Sequence, residues 1–274
     1  MRLSALFLVA LALGACASLP TDIGPFPEET AAAPGRSGIL ASIDDSIARS
    51  KGNDQSGFWL LDNNAEALQW RLALVDSAES SLDLLYYLWY GHASGRLMLE
   101  RVFRAADRGV RVRLLVDDLL LIGDDEGLVA IDRHPNIQLR LFNPKRKRKS
   151  GMVVDFLGRF EQMNQRMHNK LVVADNHAAI LGGRNIGDYY YCLNSSYNFH
   201  DLDVLGFGPV ARQSSELFDN FWNSSWAVPA SELPATIDEQ EMAERRETFN
   251  ELLNSADSLA YFPIEPQDLS LIHI

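Results

Sequence analysis

The chain has 274 residues, 47% of them hydrophobic, and a formal net charge of -12 at pH 7. That apolar share supports a sizeable core, whereas the acidic total disfavours a polyanionic nucleic-acid partner. With two cysteines, Cys16 and Cys192, a disulfide framework is excluded and stability must come from the core.

Arg2 followed by the apolar run from Leu3 to Leu13 reads as a signal peptide over residues 1–15, too short to span a membrane. Leu13-Gly14-Ala15-Cys16 resembles a bacterial lipobox, which makes Cys16 the acylated first residue of the mature chain; ordinary secretory cleavage at a small residue is the alternative. Ala17 stands where an aspartate would retain an enteric lipoprotein at the inner membrane, so a lipid anchor in the outer membrane, facing the periplasm, is favoured. Residues 16–38, rich in Pro, Ala, Glu, Thr and Gly, read as a tether lifting the domain off the membrane. Ile39, Leu40, Ile43 and Ile47 recur at helical spacing and predict a short helix docked on the domain; its polar face carries Asp44 and Asp45 and is not basic, against a membrane-surface role.

Strand and helix patterns then alternate. Helices are expected over Asn64 to Ser77, over Gly95 to Ala106 and through Leu128 and Ile131; strands over Leu82 to Trp89, Val110 to Val116 and Ile137 to Phe142. After a pair of strands between Met167 and Gly182 come a strand from Val204 to Phe207, a helix opening at Pro209 and another from Asp238 to Leu253. Such alternation predicts an α/β fold, a layered sheet with helices on both faces. Asp117 and Asp118, at a strand end, are minor site candidates for which capping is the preferred reading. The basic run Lys145-Arg146-Lys147-Arg148-Lys149 has two readings, a solvated loop or a patch for anionic lipid headgroups.

His168, Lys170, Asp175, Gly182, Gly183 and Asn185 stand in the order H-x-K-x4-D-x6-G-G-x-N, an arrangement that chance would produce in roughly one of 10^5 such sequences. A strand from Met167 to Ala174 puts His168 and Lys170 on one face, and a turn over Asp175, Asn176 and His177 leads to a second strand from Ala178 to Gly182, which carries Asn185 back beside the first. Gly182 and Gly183 would let a ligand approach the backbone. A neutral nucleophile or base, a cation and an amide donor suit a phosphate diester, whose non-bridging oxygens must be held while an atom attacks in line; no metal or other cofactor is required.

This run resembles the signature of the phospholipase D superfamily. There the motif occurs twice: the histidine of one copy attacks phosphorus to form a phosphohistidine, and that of the other protonates the leaving alcohol. The resemblance implies that His168 is the nucleophile or general acid, that Lys170 and Asn185 hold phosphate oxygens, and that Asp175 is a structural residue of the turn. A carboxylate orients such a histidine in similar enzymes, and Asp201, with Asp203 second, is the candidate; the plainer reading is that both only begin a strand. Within the superfamily, the stretches Gly182 to Tyr190, Asp201 to Val204, Phe218 to Ser224, Tyr86 to Trp89 and Ala105 to Asp118 are similar to bacterial cardiolipin synthases, the C type in particular. His92 and His200 depart from that pattern, the first where an acid is common and the second where a basic residue is usual.

No other histidine is followed two residues later by lysine, so the chain holds one motif of an expected two. The second is expected in cis or from a homodimer partner. Residues 39–228 then form a first, phospholipase D-like lobe of a two-lobe enzyme, and residues 229–268 begin a second. Residues 269–274, Leu-Ser-Leu-Ile-His-Ile, match one reading frame of a sequencing-library adapter and are excluded from the fold. Three functions follow. One is a phosphatidyltransferase making cardiolipin from phosphatidylglycerol and a second lipid; another is a phospholipase D-type phosphodiesterase acting on phospholipid or nucleic acid; the last is a non-catalytic, lipid-binding envelope lipoprotein.

Overall fold

A computed structural model describes residues 19, 23–121, 124–145, 148 and 165–253. The expected signal peptide, Cys16, the adapter-like segment and most of the basic run lie outside the described residues. The described helices are α1 (Gly38–Lys51), α2 (Asn64–Ser77), α3 (Ala93–Asp107), α4 (Asp125–Asp132), α5 (Pro209–Trp222) and α6 (Glu239–Leu253). The strands are β1 (Gly57–Leu61), β2 (Ser81–Tyr86), β3 (Arg111–Asp117), β4 (Ile137–Phe142), β5 (Lys170–Ala174), β6 (Ala178–Gly182), β7 (Asp203–Phe207) and β8 (Ala227–Pro229). They form one eight-stranded sheet in the order β1-β7-β6-β5-β2-β3-β4-β8. The pairs β2-β3 and β3-β4 are parallel and the rest antiparallel. The expected α/β class and two-sided cover are present.

Strand alternation sorts the apolar residues onto two faces. Leu82, Leu84, Val112, Leu114, Val172, Ile180 and Leu205 turn to one side, where they share a core with Leu68, Leu72 and Val75 of α2 and Met98 and Val102 of α3. Leu85, Leu115, Leu171, Val173 and Ala179 turn to the other, where Ala211, Phe218 and Trp222 of α5 cover them. Local signals start the helices: Asn63 Oδ1 accepts the N–H groups of Ala65 and Glu66 at the head of α2, and Pro209 opens α5. The β5-β6 hairpin turns through Asp175 and Asn176, whose φ values of 53° and 59° belong to a type I′ turn.

Three features of the organisation go beyond what was expected. The segment expected to be a free tether is, from Glu29 onward, strapped to the domain. Glu29 N–H donates to Asn223 Oδ1 at 3.0 Å, Ala31 N–H to Asp219 Oδ2 at 2.8 Å and Gly35 N–H to the Asp175 carbonyl at 3.2 Å. The boundary expected at residue 229 does not separate two units within the described chain, because Ala230, Leu233 and Ile237 are buried in the first core and the Phe249 ring of α6 meets Phe103 of α3. Arg148, part of the basic run, is neither solvated nor offered to lipid. Its guanidinium is buried between the Asp118 and Asp125 carboxylates, with contacts of 2.5 Å to each.

Candidate active site

The motif strand enters the sheet beside β2, its first pair being Lys170 with Tyr86. It starts three residues later than the sequence suggests. Met167 N–H is taken by Asp117 Oδ2 at 3.1 Å and cannot join a strand ladder; Asp117 Oδ1 also accepts from Leu119 N–H at 3.0 Å and Arg166 Nη1 at 3.1 Å. Asp117 therefore acts at the end of β3 as an anchor for the residues entering the motif, beyond the plain cap expected of it. Asp118 anchors the neighbouring loop through Lys145 N–H at 2.8 Å and through Arg148.

His168 and Lys170 are brought together. Lys170 Nζ donates to the His168 carbonyl at 2.5 Å and lies 3.1 Å from His168 Nδ1. The lysine is buried while the imidazole is exposed, so the ring can meet a substrate with the cation beneath it. Burial lowers the Lys170 pKa, which the Asp201 carboxylate opposes. Partial desolvation of this exposed ring and then the Lys170 charge lower the pKa of His168, again against Asp201. Both causes favour a neutral imidazole. The Tyr87 ring completes the floor, 4.7 Å from the His168 ring between centroids and 5.4 Å from Lys170 Nζ.

Asp201, the expected acceptor of a ring N–H of His168, makes a different contact. Its Oδ1 accepts the N–H of Leu202 at 2.8 Å, and it reaches His168 and Lys170 through space. Gly182 and Gly183 lie beside the two carboxylates. The space that side chains would fill there is taken by Asp203 and Asp201, so the glycines give room to the two carboxylates. Asp203 itself is spent on structure, pairing with Arg71 and Arg184 at 2.9 Å each. Asn185 is buried beside the site, where its Oδ1 accepts Leu88 N–H at 3.0 Å and its Nδ2 donates to the Tyr190 hydroxyl at 2.9 Å. One Nδ2 hydrogen is left without a partner among the described residues. Asp175 lies at the other end of the hairpin, where its carboxylate accepts the N–H groups of Glu79, Ser80 and Ser81 and the Ser80 hydroxyl at 2.8 to 3.2 Å.

Sequence reasoning passes over Tyr87, Tyr190 and the anchoring role of Asp117. Tyr87 reads there as strand interior, although a tyrosine just past a strand end in an α/β sheet stands where ligands bind.

The family described as "Cardiolipin synthase, PLD-like domain" matches residues 72–222, from α2 to the end of α5. The chain belongs to this family. As a member of the phospholipase D superfamily it is 39% identical over 196 residues to cardiolipin synthase C of Escherichia coli strain K12, a match covering 70% of this chain and 40% of that protein. It is 28% identical over 197 residues to cardiolipin synthase A of Pseudomonas entomophila, covering 72% of this chain and 37% of that one. The chain thus spans less than half the length of these relatives. Among solved structures, NucT from Helicobacter pylori aligns with 64% of this chain and 98% of its own, at 15% identity and a TM-score of 0.46.

Proposed function

We propose that this chain supplies one half of the active site of a phosphatidyltransferase that makes cardiolipin through a phosphohistidine on one of two motif histidines. The observation that carries this reading is the contact between His168 Nδ1 and the buried Lys170 ammonium, in a member of a cardiolipin synthase family. With Nδ1 accepting from an ammonium, the proton of a neutral ring sits on Nε2, a tautomer that can hydrogen-bond a phosphate oxygen but has no Nε2 lone pair with which to attack. A phosphate bound by Lys170 draws the ammonium away. The ring proton can then move to Nδ1, under the field of Asp201, and Nε2 gains the lone pair that a nucleophile needs.

In the first half-reaction the attacking Nε2 forms a bond to phosphorus, and the bond from phosphorus to the headgroup oxygen of phosphatidylglycerol breaks. The other motif's histidine gives that oxygen its proton and glycerol leaves. In the second, the hydroxyl of the acceptor lipid attacks phosphorus, gives its proton to that same histidine and releases His168. The second motif comes from a further lobe in cis or from a second copy of the chain. Cys16, acylated, holds the enzyme in the bacterial envelope facing the periplasm.

In the full-length protein, His168→Ala abolishes both turnover of phosphatidylglycerol and trapping of a phosphohistidine; normal turnover by that variant sinks the mechanism. Product analysis separates transfer from hydrolysis, since only transfer yields cardiolipin without matching phosphatidic acid.

A further inference from the structure

Beside the site stands a cluster of aromatic rings that the chemistry does not use. Tyr90 stacks on His92 at 5.0 Å between centroids, and Tyr189 meets both edge-on. Tyr197 stacks on Tyr189 at 4.8 Å, and Phe199 closes against Tyr190 at 5.0 Å. The cluster is continuous with the reacting groups, because the Tyr190 hydroxyl accepts from Asn185 and Phe199 precedes Asp201 by two residues.

Packing accounts for part of this cluster and not for its outer rim. Tyr197 is 55% exposed and Phe199 is 44% exposed. The loop nevertheless holds them firmly: Phe199 N–H donates to the Tyr189 carbonyl at 2.7 Å, Asn64 Nδ2 to the Phe199 carbonyl at 2.9 Å, and Asn194 Oδ1 accepts the N–H groups of Ser196 and Tyr197. Rings held ready in this way lose little conformational entropy on docking. Charge sets the same region apart. Residues 86–95 and 189–200, which build the cluster, contain no Asp, Glu, Lys or Arg, in a chain whose net charge is -12. These two stretches add no charge of their own toward an anionic bilayer, although Asp188 and Asp201 flank the second. Tyrosine rings, apolar in body and polar at the tip, suit the headgroup level of a membrane.

We infer that Tyr197 and Phe199, backed by Tyr189, Tyr90 and His92, form the surface by which the catalytic domain docks into the interfacial zone of a phospholipid bilayer. The inference rests on the phospholipid reading of the site. Docked so, the domain brings His168 to headgroup depth, and a donor lipid needs to rise only part-way out of the bilayer to reach it.

The test uses the mature chain, from residue 16 onward, carrying Cys16→Ser, so that neither the apolar leader nor an acyl anchor contributes, with vesicles of equal parts phosphatidylcholine and phosphatidylglycerol. Tyr197→Ser/Phe199→Ser should partition at least about tenfold more weakly than its parent, since two aromatic side chains lose their apolar contact. Raising salt should not weaken the parent's binding. Phe58→Ser, which removes an equally exposed ring from β1, should leave partition unchanged and so reports general stickiness. Should the double variant misfold, Phe199→Trp serves instead, brominated acyl chains quenching its emission more than they quench that of the parent, which has five tryptophans of its own. Failure of the parent to bind these vesicles, unchanged partition in the double variant, or Phe199→Trp emission that brominated lipid quenches no more than the parent's overturns the inference. The chemistry fails separately. His168→Ala should partition like its parent, and full transfer activity in that variant would overturn the phosphatidyltransferase reading while leaving the docking surface standing.

Discussion

Lys170 Nζ lies 3.1 Å from His168 Nδ1, with the cation buried and the imidazole exposed. The lysine charge is one of two causes that lower the His168 pKa; partial desolvation is the larger and Asp201 opposes both. Lys170→Met should therefore raise that pKa and Asp201→Asn should lower it further, both read by NMR titration of the His168 ring. Because the folded value is depressed, His168 costs no stability above its unfolded pKa. Stability is lost as pH falls from there through the folded value, and Lys170→Met narrows that window. Opposite movements in the two titrations would show that these charges do not set the site.

Asp175 belongs to the motif and lies far from its chemistry in role. A carboxylate that is 1% exposed and accepts three backbone N–H groups and a hydroxyl ties the hairpin turn to the start of β2. Asp175→Ala leaves those donors unsatisfied and puts alanine at a φ of 53°, so a loss of about 2 to 4 kcal/mol is expected in denaturant unfolding. Asp175→Asn keeps the turn, since asparagine tolerates that conformation, and should lose less. Turnover per folded molecule should stay near that of the parent in both. A selective fall in turnover with unchanged stability would make Asp175 a catalytic residue after all.

What the sequence makes legible is local. The bounds of α2 and β4 agree with expectation to the residue, the first through its Asn63 cap and the second through an apolar run of strand length. The late start of β5 is hidden because it depends on Asp117, fifty residues earlier, taking the N–H of Met167. The strap over residues 29–35 is hidden for the same reason, since Asn223 and Asp219 lie almost two hundred residues from their partners. β1 escapes notice because Phe58, Trp59 and Leu60 are all exposed at a sheet edge and show no alternation to read. Of the site, residue types and order are readable from the motif. Which carboxylate faces the imidazole is ranked there, Asp201 before Asp203, but what separates the two, the pairing of Asp203 with Arg71 and Arg184, depends on residues far away in the chain.

That difference can be measured. Asp203 is buried between Arg71 and Arg184, and Asp203→Ala leaves two buried guanidinium groups uncompensated, at a cost of about 3 to 5 kcal/mol. Asp201→Asn touches no buried pair. In the full-length protein it should lower turnover and shift the pH profile while the unfolding midpoint stays within experimental error of the parent. A result in which Asp203→Ala unfolds like the parent, or Asp201→Asn unfolds early with normal turnover, would reverse the two roles.

Gly183 offers the sharpest probe of Asp201, because it leaves the carboxylate chemically intact. A side-chain carbon built on Gly183 overlaps the Asp201 carboxyl group, so Gly183→Ala must push that group out of place. Its φ lies outside the left-handed region, and backbone strain does not confuse the outcome. The His168 pKa should fall as the opposing negative charge moves away, turnover should drop, and most of the stability should remain. Gly182→Ala provides the contrast: its added carbon meets Asp203 and the Leu202 carbonyl instead, and damage to the Arg71-Asp203-Arg184 network should appear in unfolding before it appears in the histidine titration. If Gly183→Ala left the His168 titration where it was, Asp201 would be acting from too far away to matter, and another group would have to supply the field that His168 needs.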